Sequence, residues 1–353
     1  MIQKKYSKMI KTAAMGLALA TILNANNVFA ASVNRVGGQD RFTTARSVAE
    51  SMFSSSENVV LVNGEGYADA VSATPLAKQL NAPILLTQKD KLPNGVLETI
   101  QKIGAKNVYI VGGEGVVTAS IYSTLKANNL NVIRYHKAGG NRFATNAVVA
   151  AELIKLTGAN RAILVNGQDG YSDALSVSSI AAKLGIPVLI SNSTKLDPEV
   201  KKVIDDNKLQ IMAVGGSGIL PDAVINPVNG TRIAQGKDRF KTNISVLEYF
   251  KADLSFDKFY VASGGNDRIR NFADALVGSA AAAKFGSPLI LSGNIASEED
   301  IIAYENFIKG NINNNSNITL IGQTGVLSQI AESRLVKIAE EKSETDLEII
   351  SID

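Results

Sequence analysis

The sequence predicts an α/β protein of three tandem modules, each a mainly parallel sheet clad in helices. Three observations carry that prediction. The stretch GGQDRFTTA at residues 37–45 returns as AGGNRFATN at 138–146 and as AQGKDRFKTN at 234–243, so Arg41, Arg142 and Arg239 recur at spacings of 101 and 97. Each is followed by a second signature, GYADAVSATPLAKQLNAPILLT, GYSDALSVSSIAAKLGIPVLIS and NFADALVGSAAAAKFGSPLILS, in which Asp69, Asp173 and Asp274 stand 14 residues ahead of Pro83, Pro187 and Pro288. A third signature, VYIVGGEGVV, IMAVGGSGIL and ITLIGQTGVL, closes each copy. Three motifs in one order, three times, establish an internal repeat. Continuous apolar runs between helical patterns mark parallel strands covered on both faces.

The elements follow in order. Residues 1–30 read as a secretory signal: Lys4, Lys5, Lys8 and Lys11 precede the apolar run TAAMGLALATIL and the small-residue pattern VFAA, with Ala30 the last residue removed. That run is short for a bilayer span. In the first copy NVVLVNG is a strand, ADAVSATPLAKQL a helix and PILLT a strand. LPNGVLETIQKIG is then a helix with Pro93 in its opening turn, NVYIVGG a strand, VVTASIYSTLKANN a helix and LNVIRY a closing strand. In the second copy LDPEVKKVI offers Asp197 as N-cap and Pro198 at the first helical position. The third copy lengthens the Arg-to-Asp distance to 35, against 28 and 31, through GGNDRIRNF, and NINNNSN precedes its ITLIG strand; both read as surface loops. The terminal run LEIISID takes the place of its closing strand, leaving no room for an enzyme domain in this chain. The expected units are 31–133, 134–231 and 232–353. No Gly-Ser or Ser-Pro tract separates them, which predicts one rigid body.

Composition narrows the function. The chain holds 36 Lys plus Arg and 33 Asp plus Glu, and four of the Lys lie in the signal, so the exported part carries 32 basic against 33 acidic side chains. A chain so balanced has no global field for nucleic acid. It has no Cys, which removes thiol chemistry and thiolate metal sites, and one His, His136, in a junction that the other copies lack. A Ser-His-Asp site could be built only there. VGGEG is a weak dinucleotide signal, since the third glycine is missing and the last copy reads IGQTG. No cofactor and no metal are expected. After signal cleavage, no membrane contact is expected either.

DRF, the F/Y-A/S-D-A motif, the Pro-led apolar strand and the VGG turn together resemble the type 2 cell wall-binding repeat, over nearly the whole exported chain. That resemblance implies a Toprim-like, Rossmann-like module, three of which pack as a pseudo-threefold triangle. It implies non-covalent attachment of a Gram-positive surface or S-layer-associated protein to an anionic, teichoic-acid-like secondary wall polysaccharide, with other surface-layer proteins as further partners. It also implicates the strand of Ile84, Leu85 and Leu86, of Val188, Leu189 and Ile190, and of Leu289, Ile290 and Leu291 in binding. Two departures bear on equivalence: Asn141 stands where the other copies have Asp40 and Asp238, and Gln323 where they have Gly113 and Gly216. Toprim enzymes hold magnesium with a Glu and a D-x-D pair, whereas the motif here is A-D-A and Glu114 gives way to Ser217 and Thr324. A wall hydrolase and a self-assembling layer protein are the competing functions.

The recurring residues have two readings each. Arg41, Arg142 and Arg239 either pair with an acid, such as the Asp of the ADA motif in the same or a neighbouring repeat, or contact polymer phosphate; the first is favoured, given the bidentate fork of Arg. Asp69, Asp173 and Asp274 cap their helices, pair with Arg or face the ligand. Phe42, Phe143 and Phe240 read as packing anchors. The apolar strand reads as core. The physical candidates for anion contact are therefore backbone N–H groups at strand ends, at Asn63 and Gly64, Asn166 and Gly167, and Ser263 and Gly264.

Overall fold

A computed structural model describes residues 31–168, 171–265 and 272–350. The signal reading falls outside them, as does most of GGNDRIRNF. The order in the first copy is β1 (Ser32–Val36), α1 (Arg41–Met52), β2 (Asn58–Asn63), α2 (Tyr67–Ala70), α3 (Ala73–Gln79), β3 (Ile84–Thr87), α4 (Val96–Lys102), β4 (Asn107–Val111), α5 (Ala119–Ala127) and β5 (Asn131–Tyr135). The second runs α6 (Arg142–Thr157), β6 (Arg161–Asn166), α7 (Tyr171–Leu184), β7 (Val188–Ser191), α8 (Pro198–Asn207), β8 (Gln210–Val214), α9 (Asp222–Ile225) and β9 (Thr231–Ala234). The third runs α10 (Arg239–Tyr249), β10 (Lys258–Ser263), α11 (Ala273–Phe285), β11 (Leu289–Ser292), α12 (Glu298–Lys309), β12 (Asn317–Ile321) and α13 (Gln329–Ile350).

The strands form three four-stranded parallel sheets, β3-β2-β4-β5, β7-β6-β8-β9 and β11-β10-β12-β1. The α/β expectation of three tandem modules therefore holds. The third sheet corrects the reading of the terminal run. Its closing strand is β1, paired with β12 from Ser32↔Asn317 to Val36↔Ile321. Residues 347–350 lie instead in α13. The chain is thus shifted by one strand against its repeats: the residues before the first DRF belong to the last sheet. The divisions placed at 133 and 231 fall on closing strands, inside β5 and at the first residue of β9.

Two local expectations change for backbone reasons. ADAVSATPLAKQL is two helices, because Pro75 has no N–H for the Val71 carbonyl and its ring crowds that turn. The second and third copies carry Ser179 and Ala280 there, and α7 and α11 are unbroken. Pro93 lies ahead of α4 rather than in it, since Gly95 is the N-cap with φ 83°. Asp197 caps α8, accepting from the Glu199 N–H, with Pro198 in the first turn.

Helices α3, α7 and α11 pack against one another in pairs and so surround a central pseudo-threefold axis. Small residues permit the close approach, and Thr74 and Ser279 share a hydrogen bond of 2.7 Å there. At one end of the axis Tyr67, Tyr171 and Phe272 cluster, with centroids 4.8, 6.2 and 6.3 Å apart. Around this core each DRF helix lies on the preceding copy: α6 on α2 and α3, α10 on α7, and α1 on α11.

Candidate functional site

The three seams between modules are built alike, and each residue of the DRF stretch has a distinct task. The acid or amide caps its helix. Asp40 accepts from the Thr43 N–H at 2.7 Å, Asp238 from Phe240 and Lys241 at 2.9 Å, and Asn141 from Phe143 and Ala144 at 2.9 and 3.0 Å. Asn141 is therefore equivalent as a cap, because a side-chain oxygen is all the N-terminus needs. In the first and third copies the Phe packs on the glycine at the end of the central strand, whereas in the second Ile190 lies against that glycine. A Cβ on Gly64 would meet Phe42 at 2.9 Å, and one on Gly264 would meet Phe240 at 3.1 Å.

The Arg donates through Nη1 to a carbonyl in its own module: Arg41 to Gly64 at 2.5 Å, Arg142 to Gly167 at 3.5 Å, and Arg239 to Gly264 and Gly265 at 2.6 and 3.0 Å. It also reaches the preceding module. Arg142 lies 5.6 Å over the Tyr67 ring with its hydroxyl at 3.3 Å, and Arg239 lies 5.6 Å over Tyr171 with its hydroxyl at 3.4 Å. The expected direct Arg–Asp ion pair is thus replaced, for Arg142 and Arg239, by carbonyl and aromatic contacts. Among the described residues their Nε and Nη2 have no hydrogen-bond partner, and all three Arg are half-exposed.

The Asp still feels the Arg, across the seam. Burial pushes Asp69 up to about 6, against which Thr145 and Arg142 pull it down. Burial pushes Asp173 up to about 7, opposed by Arg239, and Asp274 up to about 6, opposed by Arg41 and Thr44. The pairing is cyclic, each Arg facing the Asp of the preceding module. These Asp are not N-caps: they lie in the first turn of their helices, where the positive helix end favours a carboxylate. Asp69 Oδ1 has no hydrogen-bond partner among the described residues.

Each carboxylate abuts the first glycine of the VGG turn. A Cβ on Gly112, Gly215 or Gly322 would lie 3.1, 2.7 or 2.5 Å from the Oδ2 of Asp69, Asp173 or Asp274. These glycines have φ of 122°, 122° and 110°. The second position has neither constraint: a Cβ on Gly113 or Gly216 would make only ordinary contacts, at 3.5 Å from His136 and 3.8 Å from the Gly236 carbonyl, which is why Gln323 fits there.

The two sets of binding candidates lie as follows. Ile84, Leu85, Leu86, Val188, Leu189, Ile190, Leu289, Ile290 and Leu291 are at most 2% exposed and lie in the core. The strand-end donors are already engaged: the N–H groups of Gly64, Gly167 and Gly264 each bond a carbonyl at 2.8 Å, on Thr87, Ser191 and Ser292. Asn63 and Asn166 are buried, and each donates at 2.6 Å to the turn after β4 or β8, at Val116 and Ile219. Ser263 accepts from the Gly265 N–H at 3.2 Å. His136 is half-buried in the loop after β5.

Two residue sets escaped sequence reasoning. Asn146 brackets β7, donating to Val188 at 2.7 Å and accepting from Ile190 at 3.0 Å; Asn243 brackets β11 through Leu289 and Leu291 at 3.0 and 2.9 Å. Both close a quoted repeat, and the first copy has Ala45 there. A second Arg triplet lies on the closing strands. Arg35 donates to Gly322 at 2.8 Å and pairs with Glu332, Arg134 donates to Gly112 at 2.9 Å, and Arg232 donates to Gly215.

Residues 35–122, 137–225 and 232–332 match the family Cell wall binding domain 2 (CWB2). The chain is 33% identical over 336 residues to N-acetylmuramoyl-L-alanine amidase LytC of Bacillus subtilis (strain 168), covering 94% of this chain and 63% of that protein. It is 30% identical over 264 residues to the Amidase enhancer of the same strain, covering 74% of this chain and 34% of the relative. It thus spans less than two thirds of either relative. Among solved structures it is similar to Cwp6 and Cwp8 from Clostridium difficile, each with a TM-score of 0.75, at 27% and 28% identity. Those matches cover 86% and 88% of this chain, and 48% and 52% of theirs. Three repeats matched in register with three built modules place this chain in the cell wall binding domain 2 family.

Proposed function

We propose that the protein attaches non-covalently to the cell wall by engaging an anionic wall polysaccharide at its three seams. The observation that carries this reading is the recurring half-exposed Arg beside a buried carboxylate. At the seams of Arg142 and Arg239, one guanidinium edge is fixed by a carbonyl and an aromatic ring, and among the described residues the other has no hydrogen-bond partner. A guanidinium held this way donates to phosphate or carboxylate with little further loss of freedom. The buried carboxylate of Asp69, Asp173 or Asp274 faces the Arg across the seam and helps hold it in place. The apolar strand supports the site indirectly, since Ile190 packs under Gly167 and Leu86 under Gly64.

A balanced chain exerts little long-range attraction, so each contact is weak and repetition supplies the strength. When a second and third seam engage one polymer, the effective concentration of sites can raise avidity by about 10²–10⁴. The amidase in the name of one relative is that protein's activity. Here the reading is retention without turnover. Binding to wall sacculi before and after chemical removal of the polymer tests it. Retention is expected to fall on stripped walls and with rising salt. Undiminished retention on stripped walls, or release of peptidoglycan fragments, would overturn it.

A further inference from the structure

The seam that closes the ring, between the third module and the first, holds a cavity of about 300 Å³. Its polar lining is Gln39, Asp40, Arg41 and Thr44 from one side and Asp274 and Gln323 from the other. Two of these are peculiar to this seam. Gln323 stands where the other copies have Gly113 and Gly216, and Gln39 stands where they have Gly140 and Lys237. The charged groups are partly committed. Asp40 holds the Thr43 N–H at 2.7 Å, and Arg41 holds the Gly64 carbonyl at 2.5 Å. With two carboxylates against one guanidinium, the lining carries a net negative charge. An acidic substituent placed here would meet two like charges at short range, which disfavours it. Primary amides and carboxylates are instead donors and acceptors suited to hydroxyl, amide or amine groups.

We infer that this cavity binds a sugar residue of the wall polymer that carries no acidic group. The inference rests on the reading of the seams as polymer sites and deepens it. The guanidiniums of Arg142 and Arg239 hold the charged substituents, while the closing seam, where Arg41 is matched by two carboxylates, reads the uncharged part of the repeat. Such a ligand touches the first and third modules together, so it clamps β1 onto β12. Binding then favours the closed ring by mass action.

The test is titration of the full exported chain with N-acetylglucosamine and, separately, with N-acetylglucosamine 6-phosphate. The side-chain amide signals of Gln39 and Gln323 are followed by nuclear magnetic resonance, and backbone amide exchange of residues 32–36 is followed in parallel. The neutral sugar is expected to shift both amides and slow exchange in β1, with the phosphate ester at least tenfold weaker. Gln323→Gly recreates the backbone of the other modules, where that position is unstrained, and should weaken the neutral sugar at least tenfold. Equal or tighter binding of the ester, no shift with either sugar, or full binding by Gln323→Gly would each overturn the inference. Retention on intact walls is measured beside it: a chain that is retained but binds no sugar here loses only this cavity, whereas loss of retention on walls defeats the anchoring itself.

Discussion

Asp173 is 6% exposed, and burial pushes its carboxyl up to about 7; Asp69 and Asp274 are pushed up to about 6. The unfolded chain releases these protons near pH 4. Between there and pH 6–7 the folded state binds more protons than the unfolded one, so stability falls as pH rises through that window. The penalty is absent below the window and complete above it. From these groups alone the protein should melt higher at pH 5 than at pH 8, and Asp173→Asn should raise the pH 8 melting temperature and flatten the profile. A pH-independent difference between that variant and its parent would remove the argument. A second expectation separates the two glycines of the VGG turn. Gly215→Ala places a methyl at φ 122° and 2.7 Å from Asp173, and should cost about 1–3 kcal/mol in a denaturant titration. Gly216→Gln copies the third module and should stay within about 0.5 kcal/mol. The motif shows the glycine pair but not which member carries the strain. The replacement IGQ in copy three is the one hint, since it retains the first. The task of Arg was only half legible, because a carbonyl acceptor leaves no trace in composition.

Edge strands explain both what the repeats revealed and what they hid. The strand of each Pro-led motif lies at the buried edge of its sheet, under a DRF helix, where unpaired peptide groups would be costly. Asn146 and Asn243 supply the missing partners from that helix. Asn146→Ala should cost about 1–3 kcal/mol, since it strands a buried N–H and a buried carbonyl on β7. Equal denaturation midpoints for variant and parent would show that water reaches this edge. The apolar strands were legible because burial on both faces forces an unbroken hydrophobic run. The helix break at Pro75 was legible in principle, for proline chemistry demands it. The closing strand of the third sheet was not, because β1 and β12 meet across nearly the whole chain and no local pattern records such a pairing. The second Arg triplet could have shown it. Arg35 stands just ahead of the first DRF, as Arg134 and Arg232 stand ahead of the others, and all three cap the same turn from a closing strand.

At the scale of the molecule, each module is completed by contacts from the next, and the last is completed by the first. Removing residues 31–36 should therefore do more than shorten an end. It takes away the outer strand of the third sheet together with the Arg35–Glu332 pair and bares the edge of β12. A lower melting temperature and concentration-dependent association are expected, read by calorimetry and by light scattering. An unchanged melt would mean that the ring does not depend on its clasp. The same clasp has a mechanical meaning. A pull on the chain at Ser32, with the body of the protein held fixed, runs along the axis of β1. Its five paired positions then share the load in shear instead of parting one after another from an end. Resistance to such a pull is a matter of unfolding rate, not of equilibrium stability. β1 is thus placed to act as a tether that yields only as a unit.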